Sequence, residues 1–385
     1  MTTILILSNE SGGGHKQTAR VLSQALQRDD RAIRIVSTFQ ELFADLDHSA
    51  KFLGISGEEI YNKWILQNEG SQFFYKFFFF CIYYSFFVLY RKTLIKILTA
   101  FFEREKPDLV ISVIPILNRE IAAAINQYCP FLIVQTDLFE YEEQSPFWRW
   151  LVPCGAWFVA DKTTYMASGT EKGYRQALNY KPNANRVVKL SGTVIDPRFL
   201  RHEPLDVETE RSKLGLEPNM PLGLFLYGGY PPGRILKLAK QLDKFDIAAQ
   251  FIFICGKNEQ LYNQLKNLAT RYKKIVLGYN KAVPYYMRIA DFVVGKAGPG
   301  TIMESTALGL PLLLDVSHIM PHEENNAAWV LQKNLGMTFK TPRQLHACIQ
   351  RLGQVDFEIS KQLFKNRAVF EVAELVEKIL ADKRH

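Results

Sequence analysis

The amino-acid sequence predicts an α/β protein made of two doubly wound domains. Short continuous apolar runs, of the kind found in strands buried on both faces, recur along the 385 residues. Several of them lead through glycine-rich turns into segments with helical spacing. The stretch Ser191–Pro197 interrupts this series, and a second series follows it. We therefore expect an N-terminal domain at 1–195, a C-terminal domain at 196–365, and a final helix at 366–385 that packs back on the first domain.

The composition is that of a globular protein with a basic surface. Hydrophobic residues make up 48% of the chain, and Lys plus Arg exceed Asp plus Glu by 47 − 39 = 8. That surplus suits an anionic partner, whether a nucleotide, a nucleic acid or an acidic lipid surface. The five cysteines are scattered and form no CxxC pair, which predicts reduced thiols in a cytosolic compartment and no zinc site. The N-terminus lacks the features of a signal peptide and predicts a first strand.

The first domain opens with a strand and a glycine loop that carries a histidine. The apolar run at 4–7 leads through Gly12-Gly13-Gly14 to His15, where helical spacing begins. Consecutive glycines let a ligand approach the backbone, and open α/β sheets bind ligands beyond the carboxyl ends of their strands. Histidine titrates near neutral pH, so His15 is a candidate general base, with a structural or solvated histidine as the alternative. The loop lacks the Gly-Lys-Ser/Thr of a Walker A motif.

The other apolar runs of this domain predict five further strands. These strands lie at 33–36, 109–113, 131–136, 156–160 and 186–190, and a helix is expected from about 161 to 172. Asp137 follows the third of them, where it either caps a turn or faces the cleft beside His15. Asp45-Leu46-Asp47 matches a metal-binding DxD pattern, but no buried strand precedes it. We interpret that match as a solvated acidic face.

The segment 73–102 is strongly aromatic and carries basic residues. Twelve Phe and Tyr residues lie between 73 and 90, no acidic residue lies between 76 and 100, and the uncharged run at 77–90 has 14 residues. A membrane-spanning helix needs about 20 residues. Aromatic residues beside cations are typical of helices that lie on an anionic bilayer. The predicted membrane contacts are Phe78, Phe79, Phe87, Arg91 and Lys92. The alternative, that the segment is partly or wholly core, stays open.

The second domain repeats the pattern of strands and glycine loops. Its apolar runs lie at 221–227, 250–256, 274–279, 290–294 and 312–315, followed by a helix that opens at 321 and a helical pattern from 342 onward. Gly228-Gly229 follows the first run and Ala297-Gly298-Pro299-Gly300 the fourth. A strand, a glycine turn and a helix N-terminus together make an anion site, although the same pattern also occurs as a plain βα turn. We expect Thr301 as the N-cap of the helix, with Glu304 in the capping-box position.

Taken together, these motifs resemble one family. The loop Gly12-Gly13-Gly14-His15, the run Lys296–Glu304 and Gly309-Leu310-Pro311 resemble motifs of the monogalactosyldiacylglycerol synthase and processive diacylglycerol glucosyltransferase family. The peptidoglycan glycosyltransferase MurG is a more distant relative. The match also takes in the aromatic-basic segment, Thr136-Asp137, Ser191–Val194 with Pro197, and Cys255–Asn258. The resemblance implies the GT-B fold, with two Rossmann-like domains facing each other across a cleft.

The resemblance also implies an activity. It is an inverting transfer of a hexose, galactose or glucose, from a UDP-sugar to the hydroxyl of diacylglycerol. The protein would bind peripherally, as a monotopic protein, to the cytoplasmic side of an anionic membrane. His15 would take the proton of the acceptor, with Asp137 a second candidate for that role or for orienting the histidine, and Gly12, Gly13 and Gly14 would form the acceptor loop. No metal, no cofactor beyond the UDP-sugar and no nucleic-acid partner is expected.

In the same resemblance, the donor lies on the second domain. Its diphosphate would be near Gly228-Gly229 and the helix start at Gly298–Thr301, its uracil beside Tyr279 and Asn280, and its ribose on Glu304. Glu323, Glu324 and Asn326 would bind the hexose hydroxyls. The expected nucleotide-sugar residues are Gly228, Gly229, Gly256, Tyr279, Asn280, Ala297, Gly298, Gly300, Thr301, Glu304, Glu323, Glu324 and Asn326.

One loop departs from the family pattern. The family commonly has Pro-Gly-Gln-Glu before an Asn, whereas this chain has Pro321-His322-Glu323-Glu324, with Asn326 one place early. The sequence therefore leaves galactose and glucose as alternatives, and it leaves the acceptor lipid, processivity and oligomeric state open. Two rival functions are a glycosyltransferase for another lipid-linked acceptor, as in MurG, and a non-catalytic nucleotide-sugar-binding regulator. A base at position 15 favours an enzyme.

Overall fold

The structure is a computed structural model that describes most of the chain. The described residues are 1–10, 13–46, 54, 56–60, 62, 89–125, 129–139, 157–161, 163–180, 183–200, 204–320, 323–357 and 366–383. They divide into two compact units. The first unit is drawn from Met1–Ile60, Phe73–Asp196 and Asn366–His385, and the second from Tyr61–Gln72 and Pro197–Lys365.

The first unit is a parallel sheet with helices on its faces. The described strands and helices are β1 (Thr2–Ser8), α1 (Gly14–Leu26), β2 (Arg31–Ser37), α2 (Arg91–Glu105), β3 (Leu109–Ser112), α3 (Asn118–Ile125), β4 (Phe131–Val134), β5 (Tyr165–Ser168), α4 (Glu171–Asn179) and β6 (Val187–Lys189). The described strands form one sheet in the order β2-β1-β3-β4-β5-β6. Leu5 and Leu7 pack on one face, and Ile4 and Ile6 on the other. This alternation buries the sheet on both faces, as apolar runs predict.

The second unit repeats this architecture. It contains α5 (Val207–Lys213), β7 (Leu222–Leu226), α6 (Ile235–Leu242), β8 (Gln250–Ile254), α7 (Glu259–Asn267), β9 (Lys274–Leu277), α8 (Val283–Ile289), β10 (Phe292–Gly295), α9 (Pro299–Ala307), β11 (Leu312–Asp315), α10 (Glu324–Gln332), β12 (Gly336–Phe339) and α11 (Pro342–Arg351). Its described strands are parallel, in the order β12-β11-β10-β7-β8-β9. Phenylalanines dominate the core, and the rings of Phe225 and Phe253 stack with centroids 4.5 Å apart.

The last helix, α12 (Ala368–Asp382), packs on the first unit against α1. The buried Arg31 side chain donates two hydrogen bonds to the Glu377 carboxylate, at 2.6 and 2.7 Å. At the end of the helix, the Lys383 ammonium lies 3.0 Å from an Asp108 carboxylate oxygen. Apolar burial and ion pairs therefore join the C-terminal helix to the rest of the first unit.

The sequence-based interpretation is wrong in one part of the first unit. Residues 157–160 are bends rather than a strand, and the carbonyl oxygen of Trp157 accepts a hydrogen bond from the Asn118 side chain. The helix expected at 161–172 does not form at the described residues before Glu171, where α4 begins. Asp161 accepts hydrogen bonds from the Thr163 backbone and hydroxyl, which forms a local turn instead of a helix. The strand of this region is β5, beside β4.

Two details of the second unit also differ from expectation. Helix α9 begins at Pro299 with Gly298 as its N-cap, so Thr301 lies inside the first turn and is not the cap. Proline suits the first helical position because its φ angle is already helical and its missing N–H needs no partner there. The sequence interpretation also missed β12, whose four residues extend the sheet beside β11.

Candidate active site on the two units

Each sheet has a switch point at its first strand. The strand that comes next in the chain lies on one side of it, and a later strand lies on the other side. In the first unit β1 lies between β2 and β3, and in the second unit β7 lies between β8 and β10. Loops that leave such a point diverge to opposite faces and open a crevice at the carboxyl ends of the strands. His15 follows β1, whereas Gly228-Gly229 follows β7 and Ala297-Gly298 follows β10. The predicted residues thus lie at the switch points of their own units.

The imidazole of His15 is held by groups from the two neighbouring strand ends. Its Nδ1 lies 2.8 Å from the carbonyl oxygen of Val113, just after β3, and 3.0 Å from the Thr136 hydroxyl, just after β4. A carbonyl oxygen only accepts hydrogen bonds, so Nδ1 carries the proton. The neutral ring therefore has its basic lone pair on Nε2. This is the tautomer that a general base needs, with the other nitrogen fixed by its partner.

Asp137 follows Thr136 in the chain and is bound by a different residue. The indole N–H of Trp157 donates to a carboxylate oxygen of Asp137 at 2.8 Å. The Trp157 ring is 1% exposed, and its centroid lies 6.1 Å from that of His15. The partners shown for His15 Nδ1 are the Val113 carbonyl and the Thr136 hydroxyl rather than Asp137. The sequence interpretation did not include Thr136 or Trp157 among the site residues, and no sequence motif marks the tryptophan.

The described part of the acceptor loop leads into helix α1, whose N-terminus has no cap from a described side chain. Gly13 adopts a left-handed φ of 84° and is the N-cap of α1, and no described side chain caps that helix. A Cβ at Gly13 or Gly14 would meet no atom within 4 Å, so these glycines border open space. Further back, the buried Glu58 carboxylate accepts the backbone N–H of Glu10 at 2.7 Å. Gly12 lies outside the described residues.

In the second unit, two glycine loops flank the switch point. Gly228 has a φ of 80°, and Gly256, just after β8, has a φ of 49°. A Cβ at Gly256 would lie 2.5 Å from the carbonyl oxygen of Gly229, so the two loops touch through backbone. The Lys257 N–H donates to that same oxygen at 2.9 Å. On the other side, α9 starts without any cap from the described side chains, which leaves its first N–H groups for an anion.

A buried ion pair joins the second glycine loop to the loop that departs from the family pattern. The Lys296 ammonium lies 2.6 Å from the Glu323 carboxylate, whose side chain is 4% exposed. The Asn326 side chain is buried too, and its Nδ2 donates to the carbonyl oxygen of Ala297 at 2.9 Å. Two of the three predicted hexose contacts are thus tied to the glycine loop. Lys296 belongs to the motif Lys296–Glu304, but the sequence predicted no role for it.

The other predicted donor residues are spread around these loops. Glu304 is half-buried on α9 and Gly300 is exposed in its first turn. Glu324 is exposed at the start of α10. Tyr279 is 64% exposed after β9, and Asn280 beside it accepts the Ala282 N–H at 2.7 Å. Asn280 therefore stabilises the turn that leads into α8.

A polar network that sequence reasoning missed lies beside the Gly228 loop. The Asp315 carboxylate, at the end of β11, accepts a hydrogen bond from the Tyr227 hydroxyl at 3.0 Å and pairs with Arg234 at 3.3 Å. Its other oxygen accepts the Ser317 hydroxyl at 2.7 Å. The network connects β7, β11 and the start of α6. It holds together the carboxyl ends of β7 and β11, the two strands that flank β10.

The predicted membrane contacts are only partly within the described structure. Phe78, Phe79 and Phe87 lie outside it. Arg91 opens α2 and pairs at 3.2 Å with Glu120, whose side chain is 4% exposed. Lys92 is exposed, and Leu89, just before the helix, is 68% exposed. No helix within the described residues has the length and apolar character needed to cross a bilayer.

The described residues offer no cluster suited to a bound metal ion. No three His, Cys, Asp or Glu side chains among them converge as ligands would. Cys255 lies at the end of β8 near the glycine loops, but burial raises the pKa of its thiol to about 12. That thiol is protonated at neutral pH and is a poor nucleophile.

Comparison with known proteins gives the family. Residues 233–379 match the Glycosyltransferase family 28 C-terminal domain. The chain is 26% identical over 412 residues to the probable monogalactosyldiacylglycerol synthase 3 of Oryza sativa subsp. japonica, covering 98% of this chain and 73% of that protein. It is 24% identical over 409 residues to monogalactosyldiacylglycerol synthase 3 of Arabidopsis thaliana, covering 100% and 81%. The chain thus carries a family 28 glycosyltransferase domain and is similar over nearly its whole length to monogalactosyldiacylglycerol synthases. The predicted resemblance is confirmed, and the protein is a glycosyltransferase.

Solved structures confirm the GT-B fold of this glycosyltransferase. MurG of Acinetobacter baumannii aligns with a TM-score of 0.59 at 14% identity, covering 98% of this chain and 99% of its own. The glycosyltransferase SnogD of Streptomyces nogalater aligns with a TM-score of 0.52 at 13% identity, covering 99% and 100%. A UDP-GlcNAc 2-epimerase of Neisseria meningitidis, bound to UDP-GlcNAc, aligns at 0.57 and 14%, covering 99% and 100%. Because an epimerase shares the fold, the reaction must be argued from the site.

Proposed function

We propose that this glycosyltransferase moves a hexose, galactose or glucose, from a UDP-sugar to the hydroxyl of diacylglycerol, with inversion at the anomeric carbon. The observation that carries the proposal is the tautomer of His15. With Nδ1 donating to the Val113 carbonyl at 2.8 Å, Nε2 is the nitrogen that accepts a proton. A proton acceptor at the acceptor loop serves a transfer to a hydroxyl group, and pure nucleotide binding has no use for it.

In this proposal the donor binds on the second unit. The diphosphate lies against the backbone N–H groups at the start of α9 and at Gly228-Gly229, where the helix dipole favours negative charge. Glu304 accepts hydrogen bonds from the ribose hydroxyls, and the uracil lies by Tyr279. The hexose hydroxyls contact Glu323 and Glu324. The names of the solved relatives support a nucleotide ligand, since one is bound to UDP-GlcNAc and another is a UDP co-structure.

The chemical step is a single displacement. The oxygen of the acceptor hydroxyl forms a bond to the anomeric carbon while its proton passes to Nε2 of His15. The bond from the anomeric carbon to the diphosphate breaks, and its electron pair leaves on the β-phosphate oxygen. Backbone N–H groups at the helix starts stabilise that charge, so the proposal calls for no metal ion. Since UDP-hexoses carry an α linkage, inversion gives a β-hexosyl lipid.

We propose a peripheral location on the cytoplasmic face of an anionic membrane. Lys92 and Lys96 are exposed on α2, directly after the aromatic segment at 73–90. The Arg91 charge is engaged by Glu120, so these two lysines are the better candidates for contact with lipid phosphates. A diacylglycerol acceptor stays in the bilayer, and an enzyme that uses it must reach the bilayer surface.

The test is a transfer assay with a panel of substrates. The full chain is incubated with UDP-galactose, UDP-glucose or UDP-N-acetylglucosamine and with anionic vesicles that contain diacylglycerol. The lipid product is identified by mass spectrometry, its sugar by hydrolysis, and its anomeric configuration by NMR. A β-hexosyl diacylglycerol made by the wild type and not by His15→Ala supports the proposal. A product only with an undecaprenyl-linked acceptor, or UDP binding without any transfer, contradicts it.

A further inference from the structure

Trp157 occupies an unusual position in the first unit. It is fully buried, yet it lies in a bend rather than in a strand or helix. Its indole N–H donates to Asp137 at 2.8 Å, and its ring lies against the His15 ring. A buried indole N–H normally finds a partner, but here the partner is a half-buried carboxylate beside the candidate base. The tryptophan thus contacts both predicted catalytic residues.

The backbone of Trp157 is fixed as firmly as its side chain. Its carbonyl oxygen accepts the amide of Asn118 at 2.9 Å, and the same amide group also donates to the carbonyl of Ile114. The Asn118 oxygen in turn accepts the hydroxyl of Ser112, the last residue of β3, at 2.6 Å. Ser112 and Asn118 are at most 1% exposed. Polar groups this deeply buried and mutually satisfied hold one arrangement rather than several.

This network connects residues at the ends of three strands to Trp157. His15 follows β1, Ser112 ends β3 and Asp137 follows β4. Thr136, the residue before Asp137, contacts Nδ1 of His15 at 3.0 Å. Trp157 links the carboxylate to the imidazole, because its indole N–H binds Asp137 and its ring centroid lies 6.1 Å from that of His15. The other charged groups shown near this loop are Lys16, which pairs with Glu10 at 2.8 Å, Glu58, which accepts the Glu10 backbone N–H, and Asp196, which accepts a hydrogen bond from Gln17. Salt screens exposed charges over about 10 Å and screens partly buried charges less, so charges around this loop can act on the imidazole.

We propose that Trp157 is a positioning residue for proton transfer, which holds the Asp137 carboxylate beside His15 and thereby stabilises the imidazolium that forms as the acceptor hydroxyl is deprotonated. This inference rests on the proposed function and deepens it. The indole N–H keeps the carboxylate at a fixed place, and the indole ring limits the movement of the imidazole. Asp137 then acts by its charge, with no proton transfer of its own.

The test follows the protonation of His15 directly. Histidine-labelled protein is titrated by NMR in the wild type, Trp157→Phe, Asp137→Ala and the double variant, and His15→Gln assigns the resonance. Trp157→Phe keeps a ring and removes the N–H. We expect His15 to titrate at lower pH by about 0.5 pH unit in each single variant, because the negative charge is removed in Asp137→Ala and is no longer held in place in Trp157→Phe. The double variant should shift no further, since both changes remove the same interaction.

Transfer kinetics give a second readout. Trp157→Phe should lower kcat about tenfold while KM for the UDP-sugar stays within about twofold, and in the Asp137→Ala background it should cost nothing more. Phe158→Leu is the matched control, because Phe158 is buried beside Trp157 and packs on Tyr180. It loosens the same region, and the His15 titration should stay unchanged.

Three results overturn the inference. They are an unchanged His15 titration in Trp157→Phe, additive shifts in the double variant, and an equal shift in Phe158→Leu. If Trp157→Phe does not fold, the NMR resonance of the Trp157 indole N–H serves as the readout instead. It is assigned by substituting the other four of the five tryptophans one at a time. That resonance must move in Asp137→Ala, and a constant resonance overturns the inference. Failure of the proposed function is separate, since it appears as a wild type that transfers no hexose to diacylglycerol.

Discussion

The switch points of the two sheets share one architecture and differ in what fills it. In both, a strand leads through a glycine with a left-handed φ, Gly13 or Gly228, towards a helix. In the first unit the second residue of α1 is His15, and the neighbouring strand ends contribute hydrogen bonds to its ring. In the second unit backbone surrounds the corresponding place, where Gly229 meets Gly256 and Lys257.

The difference shows how one fold supports two chemistries. A helix start with bare N–H groups suits an anion, and α9 keeps that character. A helix start that carries an imidazole, oriented through Nδ1, suits the movement of a proton instead. The first site depends on side chains from three strand ends, whereas the second depends on backbone and on a few carboxylates. Substitutions at the two sites should therefore have different kinetic signatures.

The largest effect should come from His15→Ala. Loss of the base should lower kcat by about 10³-fold, which is within the usual range for general base catalysis. The affinity for UDP, measured by calorimetry, should stay within about twofold, because the proposed donor residues lie on the other unit. Activity equal to that of the wild type would remove His15 from the mechanism.

Glu304→Ala should have the opposite signature. Loss of hydrogen bonds from the ribose hydroxyls to a carboxylate should weaken UDP binding by about 1.5–3 kcal/mol, or 10- to 100-fold. Calorimetry with UDP measures it. Glu208→Ala, on the exposed face of α5, is the matched control and should bind UDP as the wild type does. An unchanged affinity in Glu304→Ala would rule out the ribose contact.

Glu323→Gln should separate the hexose from the nucleotide. The amide cannot keep the ion pair with Lys296 or accept sugar hydroxyls as a carboxylate does. We expect KM for the UDP-hexose to rise about tenfold and the Kd of UDP to change by less than about threefold. Equal losses for UDP and UDP-hexose would assign Glu323 to the diphosphate side of the site.

Membrane binding should depend on the first unit alone. Replacing Lys92 and Lys96 by Gln should reduce partition onto anionic vesicles about 30-fold, since each lysine near such a surface contributes roughly 1 kcal/mol. Replacing Lys240 and Lys244, exposed on the second unit, is the control and should have little effect.

The aromatic segment offers a stronger version of that test. Phe78, Phe79 and Phe87 replaced together by Ser should release the protein from vesicles in a sedimentation assay, because the apolar contact with the bilayer is lost. Sedimentation equal to that of the wild type would assign the segment to the core.

The smallest effect should be a pH-dependent one at the C-terminal helix. Burial opposes ionisation of Asp108, but the Thr3 N–H and the Lys383 ammonium outweigh it and lower the pKa of this carboxyl below its ordinary value. A carboxyl with a lowered pKa stabilises the fold above the unfolded-state pKa, about 3.9, and this contribution disappears as the pH falls through the folded-state value.

We therefore expect Asp108→Asn to lower the free energy of unfolding at pH 7 by at most about 1 kcal/mol, since the pair is partly exposed. Near pH 2 the variant and the wild type should unfold alike in urea. A difference that persists at low pH would mean that the side chain acts through packing rather than charge.

Much of the fold could be predicted because local patterns specify it. Apolar runs such as 4–7 and 250–254 form buried parallel strands, and glycine loops follow β1, β7 and β10. The predictions failed where tertiary contacts outweigh local preference. Residues 157–160 are as apolar as a strand, but the carbonyl oxygen of Trp157 accepts a hydrogen bond from the Asn118 side-chain amide. Strand β4 pairs with β5 instead of with these residues. Thr301 resembles a cap, yet Pro299 begins the helix earlier.

The sequence by itself determined the family resemblance, the fold and the glycine loops, because these depend on residue types at fixed spacings along the chain. The roles of the predicted site residues stay predictions. Only the tertiary structure decided which nitrogen of His15 holds a proton, since Val113 and Thr136 are distant from it in sequence. It also decided that Trp157 binds Asp137 and that Lys296 pairs with Glu323. Hydrogen bonds between side chains from different strand ends leave no periodic trace in a sequence.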